Sequence, residues 1–387
     1  MTDWLPHLDS RRAALAADGL ARELKIAEGA GIRLKIRGRE VVSFGSNDYL
    51  GLSTHPRVVA AAKAALDEFG AGATASALIC GHKTIHERLA RALAEFKGAE
   101  RALIFPSGFH AALASIGALA DGDASVLLDK LAHASLIDGA RLSGARVRAF
   151  AHNEVSELEA LLEKESPRRC LIVIESLYSM DGDAAPLAEI LALAERHGAL
   201  LLVDEAHATG VLGERGRGLV DLPSLSAAMK ERVIVLGTLS KALGAQGGFV
   251  CASEKISRAI LTGRAHMFST ALTPASAAAA LEALALIDAE PERRARVGEF
   301  SAYLRAELQR LKFPTPSTEG AIVPAIVGNE QRALDCAEAL FERGFFVPAV
   351  RYPTVKLGAA RLRISLSAAH SREECERLVQ ALEVSLR

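Results

Sequence analysis

The chain has 387 residues, of which 50% are hydrophobic and 24% charged, with 46 Lys and Arg against 47 Asp and Glu for a net charge of −1. That length exceeds one compact core and predicts one large domain with a smaller companion. The balanced charge and 5% aromatic content exclude a nucleic-acid or acidic-membrane binder, which needs a basic surplus and, for single strands, stacking platforms. Five scattered cysteines (Cys80, Cys170, Cys251, Cys336, Cys375) show no CxxC and no metal spacing, so reduced thiols and a cytoplasmic setting are expected. The N-terminus carries charges throughout, with no apolar signal core, and no window approaches ~18 apolar residues.

Residues 1–45 read as an N-terminal arm: an amphipathic helix with Trp4, Leu8, Leu15, Leu20 and Leu24 as apolar positions, then a strand pair around Ile32 to Phe44. Such an arm cannot bury itself and is expected to pack on the small domain or on a partner subunit. Residues 46–279 alternate strand and helix. The strand candidates are Ala102 to Phe105, Val126 to Leu128, Val147 to Phe150, Leu171 to Ile174, Leu200 to Val203, Val233 to Leu236 and Gly248 to Cys251. Alternation of this kind predicts an α/β domain with a mainly parallel, seven-stranded sheet covered on both faces. Alanine-rich Ala271 to Ile287 reads as a packed helix. Residues 280–387, with strands at Ala321 to Val327 and Arg361 to Ser365, read as a smaller α+β domain. His82 and His86 lie four apart beside Glu87, but no third ligand or HExxH order supports a metal.

The chemistry centres on Val233 to Gly248, VIVLGTLSKALGAQGG. A buried strand ends in a polar turn bearing Lys241, at the carboxyl end where open α/β sheets bind ligands. A buried lysine loses its charge, and a neutral amine condenses with a carbonyl. A second strand, Ala199 to Val203, runs into Asp204, Glu205, Ala206 and His207. An acid at that strand end can hold a protonated pyridine nitrogen, and His207 can reach a ring hydroxyl. Lysine and aspartate together point to pyridoxal 5'-phosphate (PLP). Phe105 to His110 follows a third strand and opens a helix, so its free N–H groups favour an anion.

Five stretches in collinear order, SNDYLGL (Ser46 to Leu52), AHASLIDGARLSGA (Ala132 to Ala145), SMDGDAAPLAEI (Ser179 to Ile190), VDEAHATGVLGERGRG (Val203 to Gly218) and TLSKALGAQGG (Thr238 to Gly248), resemble the α-oxoamine synthase family of fold-type-I PLP enzymes. The resemblance implies that Gly108 and Phe109 give backbone amides to the cofactor phosphate, with Thr238 adding a hydroxyl. It implies that Ser179 and His207 contact the cofactor, that His133 stacks on its ring, and that Ser269 and Thr270 reach a neighbouring subunit's phosphate. Arg361 and Arg363 alternate as in a strand, and either could form the planar fork that a carboxylate needs. The family's carboxylate arginine matches Arg363, with Arg361 as the fallback. Thr354 matches a substrate-contacting threonine, although Tyr352 and Lys356 replace prolines of the family's pattern, and the family's N-terminal substrate arginine falls on Arg22 or, by a one-residue shift, on Ala21, with Arg22 preferred.

The family condenses an amino acid with an acyl thioester. The motifs lean toward L-alanine and a pimeloyl thioester carried on CoA or acyl carrier protein, in a homodimer. Glycine with succinyl or acetyl thioesters, serine with a palmitoyl thioester, and an aminotransferase using the same lysine and aspartate are the alternatives. A nicotinamide dehydrogenase fails for want of GxGxxG after a first strand.

Overall fold

The computed structural model describes residues 3–17, 20–21, 23–165, 169–316 and 319–385. Three short strands, β1 (Ala27–Ala30), β2 (Arg33–Ile36) and β3 (Arg39–Ser43), pair antiparallel in turn. The central sheet follows: β4 (Arg101–Phe105), β5 (Ser125–Asp129), β6 (Arg146–Phe150), β7 (Cys170–Glu175), β8 (Leu200–Asp204), β9 (Val233–Thr238) and β10 (Gly248–Ala252). Its order is β4-β10-β9-β8-β7-β5-β6, with only β10 antiparallel to its neighbours. All seven expected strands are present, each one or two residues longer than its apolar run. This is the fold-type-I architecture.

The strands are apolar on both faces because helices cover both. Leu127, Ile172, Ile174, Leu201, Val203, Val233 and Val235 enter one core, while Val126, Leu128, Leu171, Val173, Leu202, Ile234 and Leu236 enter the other. Successive side chains alternate across the sheet, so each run feeds both layers. Fully burying one such side chain contributes about 1.5–3 kcal/mol. The helix Pro274–Ala289 is buried along most of its length against the helices Pro56–Phe69 and Thr84–Lys97. Its alanines let the backbones approach. Four of the seven strands end in a polar residue: Asp129 on β5, Glu175 on β7, Asp204 on β8 and Thr238 on β9, all buried. These strand ends form the floor of the candidate site.

Further along, β11 (Ile322–Gly328), β12 (Phe345–Phe346), β13 (Ala349–Val350) and β14 (Ala360–Ser365) complete the strands. β14 lies between β11 and β13, and a third core joins Val323, Leu362 and Ile364 to Phe300, Leu340 and Leu378 from three helices. β12 pairs parallel with β3, and Ser365 N donates to Phe44 O at 2.7 Å. These contacts tie the arm's strands to the C-terminal part. The first helix does not pack on the small domain. It spans Trp4–Ala17, buries no side chain, and leaves Trp4 75% exposed, while Leu24 is fully exposed outside any helix. Trp4, Leu5, Leu8 and Leu15 fall on one side of the cylinder, but Arg11 and Arg12 share that side, which is exposed within this chain.

Candidate active site

The turn after β9 is closed by Leu239 N donating to Gly247 O, Gly244 N to Lys241 O and Ala245 N to Leu239 O, each at 2.9 Å. Gly244 has φ +60° and sits where a Cβ would stand 2.3 Å from Ser53 N. Only glycine lets the turn pack on the 46–53 segment. Lys241 thereby places Nζ 2.8 Å from His207 Nε2, and His207 Nδ1 lies 2.7 Å from the Tyr49 hydroxyl. Tyr49 Oη donates to Asn47 Oδ1 at 3.1 Å, and Arg363 Nη1 donates to the same oxygen at 3.2 Å. Residues more than 300 positions apart share one polar chain.

Burial dominates the electrostatics. It pushes the Lys241 amine down to about 8, although Asp204 and Glu175 favour its charged form. It raises Asp204 to about 6, with Lys241 and the Ala206 N–H pulling the other way. Ala206 N donates to Asp204 Oδ1 at 2.8 Å. Burial also holds His207 well below the ordinary imidazole range, with Lys241 and Arg363 adding to that, and it lowers His133, next to Lys241's charge. Both imidazoles are therefore neutral near pH 7. This suits a flat ring cover and a hydrogen-bonding partner better than two cations.

The phosphate-type corner is also assembled. Ser107 caps the helix Gly108–Leu119 by accepting His110 N at 3.1 Å, and its carbonyl takes Ala111 N. The Gly108 and Phe109 amides precede that ladder and point outward from the helix end. Thr238 stands against them, 3.2 Å from where a Gly108 Cβ would lie. Gly248 admits the same helix end, since a Cβ there would be 2.4 Å from Ser107 O. His133 caps its own helix, Ala134–Leu142, by accepting Ser135 N, with its Nδ1 2.8 Å from Ser135 Oγ, so the ring plane is fixed. Ser179 is buried, and its carbonyl accepts Arg363 Nε at 2.7 Å.

The two arginines separate by charge balance. Both are buried and point to one side of β14, as their alternation predicts. Arg361 is neutralised by Asp181, 2.6 Å away. Arg363 meets neutral oxygens, those of Ser179, Asn47 and Ser365 and the Tyr49 hydroxyl, among the described residues. Its charge is left for an incoming anion. Thr354 stands apart from this cluster, on the rim of a cavity of about 470 Å³ lined also by Ala21, Lys25, Phe346 and Arg351. Arg22 lies outside the described residues. Ser269 and Thr270 lie in an outward-facing segment bridged to Ser76.

A family model described as aminotransferase class I and II matches residues 39–382. An 8-amino-7-oxononanoate synthase of Methylobacterium nodulans is 47% identical over 379 residues, covering 97% of this chain and 95% of its own. The chain belongs to the 8-amino-7-oxononanoate synthase family of PLP-dependent transferases. A solved lysine-to-alanine variant of serine palmitoyltransferase from S. paucimobilis with a bound PLP-myriocin aldimine is 31% identical, with a TM-score of 0.92 over 99% of this chain and 98% of that one. An 8-amino-7-oxononanoate synthase structure from Francisella tularensis gives a TM-score of 0.76 at 28% identity, covering 89% and 97%.

The residues present fit the family's cofactor. Burial brings the amine down to about 8, within reach of its neutral form, an acid stands beside it at a strand end, and a glycine-relieved helix start offers two amides next to a hydroxyl. Motif reading passed over three further groups. Asn47 and Tyr49 were inside a quoted motif without a role. Glu175 was signalled by the same pattern as Asp204, an acid closing an apolar strand. His152 is more than a core residue: it bridges Asp129 (3.0 Å) and Asp183 (2.8 Å), and those two acids raise it to about 10 against the opposing effect of burial, which is the largest single influence. His370 is structural, stacked on Phe44 at 4.0 Å.

Proposed function

We propose that the protein joins the α-carbon of L-alanine to the acyl carbon of a pimeloyl thioester, releasing the carrier thiol and CO2 and yielding 8-amino-7-oxononanoate for biotin biosynthesis. When bound, PLP supplies an aldehyde that takes an amine and a ring that draws electrons from the α-carbon. Lys241 Nζ is the amine that holds the cofactor, and once displaced it moves the α proton of the amino acid. Asp204 holds the proton on the ring nitrogen, while His207 and Ser179 orient the ring hydroxyl. Gly108 and Phe109 N–H with Thr238 Oγ1 bind the phosphate. His133 covers the ring face and excludes water from it. Arg363, steadied by Asn47 and Ser179, forks onto the amino acid's carboxylate, and Thr354 with Arg22 serves the acyl chain.

The reading divides the chain into an arm (1–45), a large cofactor domain (46–279) and a small domain (280–387). It places the protein in the cytoplasm as a homodimer in which Ser269 and Thr270 serve the neighbouring site, with CoA or acyl carrier protein as the acyl carrier. The observation that carries it is the Lys241 amine, 2.8 Å from His207 and flanked by two strand-end carboxylates. The test is thiol release by the PLP-loaded protein across pimeloyl, succinyl, acetyl and palmitoyl thioesters with alanine, glycine and serine. Alanine with the pimeloyl thioester should be fastest. Faster glycine with succinyl-CoA would overturn the substrate assignment, and amino-group transfer without thiol release would make the protein an aminotransferase.

A further inference from the structure

Glu175 closes β7 in direct register with Asp204 on β8. Partners on neighbouring strands stand about 4.8 Å apart with side chains on the same face, so two carboxyl groups lie side by side at the floor of the site. Glu175 is 2% exposed, and its Oε1 has no hydrogen-bond partner among the described residues. A buried polar atom without a partner costs roughly 1–3 kcal/mol. It persists at functional sites when a ligand completes it.

Charge balance decides its protonation. The titratable groups bearing on it are Asp204 and Lys241, Tyr178 lies alongside, and the His133 and Ser179 amides face its carboxyl. Burial, then the neighbouring Asp204, push Glu175 up to about 8. Lys241 is the one cation that opposes this, and its amine is committed to the cofactor in the working enzyme. Asp204 has its own donor in Ala206 N and faces the ring nitrogen. No cation then remains for a second carboxylate, and two acids at this spacing in a dry site do not both ionise.

We propose that Glu175 is a further catalytic residue, a carboxyl group kept neutral so that its free oxygen donates a hydrogen bond to a negatively charged oxygen of the bound cofactor and substrate. It keeps its proton throughout and acts as a donor, not as a base. A carboxylic acid held neutral by an apolar site to donate in this way is a known catalytic device. The inference rests on the PLP-dependent reading above, but not on which acyl group is used.

The test compares Glu175→Gln with Glu175→Leu in the full-length, PLP-loaded protein. Glutamine keeps the shape, neutrality and a donor; leucine keeps only bulk. Glu175→Gln should stay within about 10-fold of the parent kcat, whereas Glu175→Leu should lose about 10²-fold, as removal of one preorganised donor does. A second readout needs no turnover. In the parent, ionisation of Glu175 above pH 8 should shift the visible cofactor band, because a new negative charge favours the protonated chromophore; Glu175→Gln should remove that pH-dependent shift. If glutamine is as damaging as leucine while the band remains, the ionised form is required and the proposal fails. If both variants match the parent, Glu175 has no catalytic part and it also fails. A protein that shows no cofactor band at all would instead sink the PLP reading.

Discussion

Lys97 and Glu205 form an ion pair whose side chains are both 0% exposed, with Nζ 2.7 Å from Oε2. Lys97 also donates to Thr209 Oγ1 at 2.8 Å and to Arg217 O, while Glu205 Oε1 accepts Leu219 N at 2.6 Å and Val220 N at 2.9 Å. Glu205 therefore fastens the 205–220 segment, which begins beside Asp204 and carries His207. Replacing Lys97 by methionine strands a buried carboxylate and should cost about 3–5 kcal/mol. Glu205→Gln keeps an acceptor for the two amides but strands the ammonium, at a similar cost. The double variant removes both charges and retains that acceptor, so it should lose roughly 2–4 kcal/mol, well short of the sum. Urea unfolding followed by circular dichroism measures all three, and PLP retention on dialysis reports the loosened segment. A loss below about 1 kcal/mol for Lys97→Met, or simple addition in the double variant, would refute the view that mutual neutralisation holds this pair.

Arg363→Lys keeps the charge but not the fork, and losing one charged hydrogen bond, roughly 1.5–3 kcal/mol, should raise KM for L-alanine about 10- to 100-fold; an unchanged KM would hand the carboxylate to another group. Gly248→Ala would drive a Cβ to 2.4 Å from Ser107 O, displacing the Gly108–Phe109 amides. Equilibrium dialysis should show weaker PLP binding with the fold intact by circular dichroism. Because burial depresses the Lys241 amine to about 8, its neutral fraction grows as pH rises. The rate of PLP attachment should therefore climb through pH 8 and level off above it, and a climb continuing toward pH 10.4, the range of an ordinary lysine, would contradict the burial argument.

Local pattern encodes the central sheet. Runs such as Leu171 to Ile174 and Leu201 to Val203 are long enough for strands, too short for helices and apolar on both faces, so a doubly covered sheet follows from period and length. The strand-end rule places Lys241 and Asp204 together for the same reason. The seven-stranded fold, the family and its cofactor were thus legible before any coordinates.

Pairing over long separations was not. Arg361 and Arg363 share one alternation, and only the arrival of Asp181 beside Arg361 leaves Arg363's charge free. The Trp4–Ala17 helix shows that apolar residues on one side of a helix do not by themselves secure burial within the chain. Thr354 lines a cavity with Ala21, Lys25, Phe346 and Arg351, a grouping that no local pattern announces. Glu175 looks in sequence like any acid after a strand, and only its burial in the packed sheet, with Asp204 in register beside it, raises its hold on the proton. Covalent order and hydrophobic period determine which elements form and where their ends lie. Which charges meet, and how dry they are, depends on distances between elements, and those exist only once the chain has packed.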